Sequence, residues 1–196
     1  MFKKASKGEY LDLILRSPQT IFSASDVALL WGEPIIKSVR LRLDYYVKKG
    51  NLLRVYRGFY AKDANYNIYE LATRIYTPAY ISFETVLTRQ GVNFQHYDTI
   101  FVASYVNREI SVGAQTITYV RMKDYVLSNM LSVDSSSGFA VATKERALLD
   151  RLYVSKEYHF DNLKNLDWKR IFELVPSYHN QRLEKKVNEY HKASFT

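Results

Sequence analysis

Ser23-Ala-Ser-Asp-Val-Ala-Leu-Leu-Trp-Gly32, then Glu33-Pro34, then Ile35 to Lys49, then Asn51-Leu-Leu-Arg-Val-Tyr-Arg-Gly-Phe-Tyr-Ala61 decide the fold of the first part of this chain. The first stretch reads as a short helix. Ser23 stands three residues before Asp26, a capping-box-like start, and Gly32 fits the C-terminal stop. Val27, Leu30 and Trp31 supply its apolar face. Glu33-Pro34 turns the chain, and Pro34 suits the first turn of the next helix. From Ile35 to Lys49, Ile36, Val39, Leu43, Tyr46 and Val47 fall on one side at helical spacing, and Gly50 stops the helix. Asn51 to Ala61 reads as a β-hairpin with Arg57-Gly58 at its tip. Helix, tight turn, helix and basic hairpin are the parts of a winged helix-turn-helix, a unit that usually reads double-stranded DNA.

Upstream, Tyr10, Leu11, Ile14 and Leu15 predict a helix from Lys7 to Arg16. Ser17-Pro18 ends it, because the residue before proline avoids the helical region. Gln19 to Phe22 reads as a short extended stretch able to pair with the hairpin. Along the long helix, Lys37, Ser38, Leu41, Asp44, Tyr45 and Lys48 face away from the core, with Arg40 and Arg42 on the flanks. The N-terminal half of such a face meets base edges in the major groove. Lys37 and Arg42 are candidates to donate to guanine or to phosphate, and spacing does not separate the two. Leu41 is a candidate for a thymine methyl, although an outward leucine more often covers a neighbour. Arg54 and Arg57 flank the hairpin. A wing arginine commonly touches phosphate or enters the minor groove; in the structural alternative such charges only discourage edge pairing. The candidate DNA-contacting set is therefore Lys37, Ser38, Arg40, Arg42, Tyr45, Lys48, Arg54 and Arg57. Tyr56 or Tyr60 is expected to pack beneath the hairpin.

Charge distribution points the same way. The chain of 196 residues carries a formal net charge of +8. Residues 1–66 hold twelve Lys/Arg against six Asp/Glu, residues 67–154 eight of each, and residues 155–196 eight against six. Most of the excess lies in the segment with the DNA-binding pattern, where it favours the phosphate backbone through counterion release. A hydrophobic fraction of 47% is enough for a folded core. No apolar run is long enough to cross a bilayer. The start, Met1 to Lys7, is basic without an apolar signal core, which reads as cytoplasmic. With no cysteine, disulfides, thiolate zinc sites and cysteine nucleophiles are excluded.

Ala64 to Asn67 is polar and marks a border between residues 1–66 and 67–196. The second part is predicted to be an α+β domain with an antiparallel sheet. Helices are expected at Tyr69 to Tyr76, after an N-cap at Ser82, at Lys144 to Tyr153 after Thr143, at Trp168 to Leu174, and at Tyr178 to His191. Strands are expected at Thr99 to Ser104, Arg108 to Val112, Thr116 to Met122, and between Gly138 and Ala142. Enzyme chemistry is not expected. There is no Gly-rich phosphate loop. His96, His159, His179 and His191 show no metal-ligand spacing. Asp98, Glu109 and Lys123 match no carboxylate motif of a metal-dependent nuclease. Glu84, Glu145 and Asp150 read as caps or salt-bridge partners. No cofactor or metal is expected.

Three segments then carry a family resemblance. Tyr80-Ile-Ser-Phe-Glu-Thr-Val-Leu-Thr-Arg-Gln-Gly-Val92 resembles the YIS-x-E-(S/T)-x-L-x-x-x-G segment of the AbiEi family. Val141-Ala-Thr-Lys-Glu-Arg-Ala-Leu-Leu-Asp-Arg-Leu-Tyr153 resembles that family's ATPEKALLDLLY segment, with Lys144 where proline is frequent. Val55-Tyr-Arg-Gly-Phe-Tyr-Ala61 is similar to its RG-x-Y hairpin. The resemblance covers residues 5 to 155. It implies an antitoxin of a phage-defence toxin–antitoxin operon. Its N-terminal domain would repress its own promoter by binding inverted repeats. Its C-terminal domain would counter a nucleotidyltransferase-like toxin, in a class generally described as acting without a stable toxin complex. Inverted repeats imply two copies per operator. No long heptad helix suggests a coiled-coil dimer, so monomers or weak dimers that pair on DNA are expected. The competing expectation is a protein-interaction module whose DNA affinity is only non-specific.

Overall fold

The computed structural model describes residues 8–155 and 157–194. Met1 to Lys7, with the expected helix start at Lys7, lies outside them. The chain is mixed α+β and divides into two compact units, the first ending at Leu71 and the second beginning at Ala72. The division falls inside α4 (Ile68–Ile75).

The first unit runs α1 (Tyr10–Arg16), β1 (Ile21–Ser23), α2 (Ala24–Trp31), α3 (Ile36–Lys48), β2 (Leu53–Tyr56), β3 (Phe59–Ala61). Ser23 and Asp26 form the capping box that opens α2: Ser23 Oγ accepts from Asp26 N–H (3.2 Å), and Asp26 accepts from Ser23 N–H (2.6 Å). Gly32 closes α2 in the left-handed conformation at φ +62°. Pro34 lies outside α3, not in its first turn. Glu33 Oε1 accepts from Ile35 N–H (3.2 Å), and Ile35 is the extended residue from which α3 starts. The three strands are antiparallel in the order β1-β3-β2, with Ile21 opposite Ala61 and Phe22 opposite Tyr60. β2 bulges at Val55, and Gly58 turns the hairpin at φ +82°, a conformation L side chains rarely adopt.

The apolar faces of these helices meet in one core that includes Tyr10, Ile14, Val27, Trp31, Val39, Leu43 and Tyr60, but Leu15 and Leu30, expected on those faces, are exposed, and Ala24 and Ala28 complete the inner face of α2. Trp31 donates its indole N–H to Tyr10 O (2.8 Å), and the two rings lie 4.5 Å apart. Fully burying side chains such as Leu43 stabilises the unit by about 1.5–3 kcal/mol each. Glu70 ties down the start of β1, accepting from Thr20 N–H (3.0 Å) and Ile21 N–H (3.3 Å).

The second unit contains β4 (Ala79–Ile81), α5 (Phe83–Arg89), β5 (Thr99–Ser104), β6 (Arg108–Val112), β7 (Gln115–Arg121), α6 (Asp124–Leu127), β8 (Val133–Asp134), β9 (Val141–Ala142), α7 (Lys144–Val154), α8 (Trp168–Leu174), a 3-10 turn (Val175–Tyr178) and α9 (Gln181–Ala193). Its six-stranded sheet has the order β6-β7-β5-β4-β9-β8. This sheet is mixed, not antiparallel. β5 runs parallel to β7 from Thr99/Thr116 to Ser104/Arg121, and β4 is parallel to β9. The cause is burial. β7 puts Ile117 and Tyr119 in the core, whereas β6 is mostly exposed. The β6–β7 hairpin therefore inserts its apolar strand beside β5 and leaves the polar one at the edge. The last expected helix is also divided. His179 at φ +45° ends the 3-10 turn, and Asn180 caps α9. Among the described residues no helix is long and apolar enough to cross a membrane.

Candidate nucleic-acid interface

All eight candidate residues lie in the first unit, on α3 and on the hairpin that follows it. Burying Val39 and Leu43 fixes the rotation of α3, and the helical period then turns Lys37, Ser38, Leu41, Tyr45 and Lys48 outward. All five are exposed, as are Arg40 on the flank and Arg57 at the hairpin tip. Leu41 is 65% exposed and Tyr45 54%. Ser38, Leu41, Arg42, Tyr45 and Tyr46 line a shallow groove of about 500 Å³ along the helix. Lys37, Arg40, Lys48 and Arg57 have no ion-pair or hydrogen-bond partner for their cationic groups among the described residues.

The remaining two arginines are engaged within the unit. Arg42 is half-buried, with its guanidinium 4.0 Å from the Tyr10 ring centroid and 5.9 Å from that of Trp31. It stacks α3 on α1 and α2. Arg54 pairs with Asp44 across the β2–α3 junction and lies 5.5 Å from the Tyr60 ring centroid. Tyr60 is the tyrosine beneath the hairpin, 5% exposed, with its hydroxyl 3.3 Å from Asp44 Oδ1. Burial raises the Tyr60 pKa, and the Asp44 charge adds to the rise. Asp44 thus has its charge matched by Arg54 at the hairpin, although its side chain stays partly exposed.

The second unit holds a cluster whose importance is hidden in the sequence. Arg146 is completely buried on α7. Its Nε donates to Asp150 Oδ1 (3.1 Å), Nη1 to Asn129 O (2.9 Å) and Leu131 O (3.1 Å), and Nη2 to Tyr80 OH (2.7 Å) and Val126 O (2.8 Å). Asp150 also accepts from Tyr178 OH (2.7 Å), Tyr80 OH (3.2 Å) and, through Oδ2, Ser82 Oγ (2.7 Å). Burial lowers the basicity of Arg146, but Asp150, Tyr178 and Tyr80 together outweigh it and leave the pKa above the ordinary arginine value. Burial raises both phenols well above their ordinary pKa, and the Asp150 charge adds to the rise. Ser82 therefore is not a capping side chain for α5. The chain enters that helix with Phe83 at φ +54°, and the Ser82 hydroxyl is spent on Asp150. The segments 80–92 and 141–153 meet at this cluster. The signal for it was the i, i+4 spacing of Arg146 and Asp150 on a helix whose residues 145–150 are all buried. Beside it Arg151 pairs with Glu84 at 3.0 Å, and Glu145 accepts from Asp167 N–H (3.3 Å).

The residues weighed for catalysis are dispersed. Asp98 and Lys123 are exposed, and Glu109 accepts from the Thr118 hydroxyl on the neighbouring strand (3.2 Å). His96 and His159 each lie beside one aspartate, Asp98 and Asp161, and His191 packs on Trp168 and Phe172. Among the described residues no group of three or more His, Asp or Glu is placed to hold a metal ion. No protein-family model matches this chain, and no curated protein is significantly similar to it.

Proposed function

We propose that the first unit is a winged helix-turn-helix that binds double-stranded DNA, and that the protein is an AbiEi-like antitoxin repressing its own toxin–antitoxin operon. The observation that carries this reading is the outward face of α3. It is an exposed strip with Lys37, Arg40 and Lys48 unpaired, next to a hairpin whose tip offers Arg57. A helix of this kind enters the major groove while the hairpin reaches the flanking backbone. Cations left unpaired at the surface can displace counterions from phosphate. Two copies bind the two arms of an inverted repeat in the promoter. The second unit counters a nucleotidyltransferase-like toxin, a role that rests on the resemblance of residues 80–92 and 141–153 alone.

The test is binding of the full chain to the DNA upstream of its own gene and to a shuffled control, over a salt series. A repressor retains the upstream DNA at roughly physiological salt with a preference of at least about 10³-fold. Equal and salt-sensitive binding to both duplexes would replace this reading with a basic protein-interaction module.

A further inference from the structure

We infer that α3 reads its operator through an apolar contact, with Leu41 and Tyr45 seated on the C5-methyl edge of a thymine in each half-site. This rests on the DNA-binding reading above and goes beyond it by naming the base and the contact. Three observations carry it. Leu41 and Tyr45 lie one turn apart at the middle of the outward face of α3, both more than half exposed. They and Ser38 wall the groove of about 500 Å³, the concave feature of that face. The arginine that lines the same groove, Arg42, stacks on Tyr10 and Trp31. That stacking holds the guanidinium at the Tyr10 side of the groove, while Leu41 and Tyr45 form its outer wall.

Charge selects nucleic acid as the occupant. Lys37 stands one turn before Leu41, and Lys48 stands three residues beyond Tyr45, so cations border the apolar strip at both ends. Asp44, beside the strip, is matched by Arg54 and so does not repel phosphate. The thymine methyl is the apolar group that the base pairs present in the major groove, and apolar side chains are what recognise it. Lys37, Arg40 and Lys48 then hold phosphate and fix the register, while Leu41 and Tyr45 supply the sequence preference.

The experiment selects duplexes from a random pool with the full chain, then measures affinity with each thymine of the selected site replaced in turn by deoxyuridine, which lacks only the methyl. The expected site contains an A·T pair whose replacement weakens binding about fourfold per methyl. Leu41→Ala, at an exposed position that leaves the core intact, is expected to bind the thymine and deoxyuridine sites equally. Indifference to deoxyuridine at every position overturns the inference while leaving DNA binding in place. A site read instead through guanine, with affinity lost on 7-deazaguanine substitution at its centre, overturns it in favour of an arginine or lysine contact. Enrichment of no duplex overturns both the inference and the DNA-binding reading beneath it.

Discussion

Replacing Arg146 by methionine tests the cluster at the centre of the second unit. The side chain is completely buried and gives all of its donors to protein acceptors: the Asp150 carboxylate, the Tyr80 hydroxyl and the carbonyls of Val126, Asn129 and Leu131. Methionine matches much of the volume and supplies none of the donors, so Asp150 is left as a buried charge without its cation. Breaking a buried pair from one side costs about 3–5 kcal/mol. The three orphaned carbonyls add to this, but Ser128, Met130 and Leu131 are exposed, so water reaches part of that segment and limits the addition. A domain is stable by about 5–15 kcal/mol, so the loss is a large fraction of the whole. The assay is urea denaturation followed by tryptophan fluorescence, with Trp168 reporting the second unit. Arg146→Met combined with Asp150→Asn removes the stranded charge and is expected to recover about 0.5–3 kcal/mol relative to the sum of the single changes. A single change costing less than about 1 kcal/mol, or strictly additive effects, would refute the reasoning.

The same cluster is expected to cost stability at alkaline pH. Tyr80 and Tyr178 have folded-state pKa values well above the unfolded value of about 10. Their neutral forms contribute fully below that unfolded value, and stability is lost as pH rises above it, by about 1.4 kcal/mol per pH unit for each phenol. Tyr178→Phe is expected to flatten this decline in a urea series from pH 9 to 11, roughly by one phenol's share; an unchanged slope would mean that Tyr178 ionises in the folded state. Asp44→Asn frees Arg54 and removes an acidic charge beside the hairpin, so the salt dependence of DNA binding is expected to steepen by about one phosphate contact. The exposed Asp44–Arg54 pair itself is worth only about 0–1 kcal/mol, so the fold should tolerate the change, and an unaltered slope would take this corner out of the interface. Arg42→Ala is expected to lower the stability of the first unit by about 0.5–2 kcal/mol through the lost stacking on Tyr10. An unchanged unfolding midpoint together with lost DNA binding would make Arg42 a direct contact rather than a packing residue.

Much of the first unit was legible because each of its signals is local. The Ser23/Asp26 box, Gly32, the apolar stripe of α3 and the Arg57-Gly58 tip act within a few residues, and periodicity fixes which side of α3 is inward. The second unit was legible as elements but not as a topology. Strands β5 and β6 fall on the expected residues, yet the insertion of β7 between them depends on relative burial, which a strand's own composition does not state. The short strands β4, β8 and β9 are two or three residues long and exist only through their neighbours. Ser82 shows the limit of cap rules. Its identity suits an N-cap, but a buried carboxylate sixty-eight residues away takes its hydroxyl.

The fates of the arginines explain why charge counting overstates the candidate interface. The first unit's basic excess counts Arg42 and Arg54 equally with Lys37 and Arg57. In the fold Arg42 covers two aromatic rings, and Arg54 cancels Asp44. In the proposed DNA complex both act indirectly. Arg42 holds α3 against α1 and α2 and so keeps its outward face in place. Arg54 removes the one carboxylate that α3 would otherwise bring toward phosphate. On the proposed DNA-binding reading the direct contacts fall to Lys37, Arg40, Lys48 and Arg57, whose spread over a helix and a hairpin tip suits a curved, doubly stranded backbone better than a compact anion. A lysine is a point charge with no planar fork, so Lys37 and Lys48 favour phosphate over base edges. Arg40 stands at the flank of the helix and Arg57 at the hairpin tip, away from the middle of the strip. In the proposed complex, sequence preference then falls to the uncharged middle of the strip, where Leu41 and Tyr45 stand.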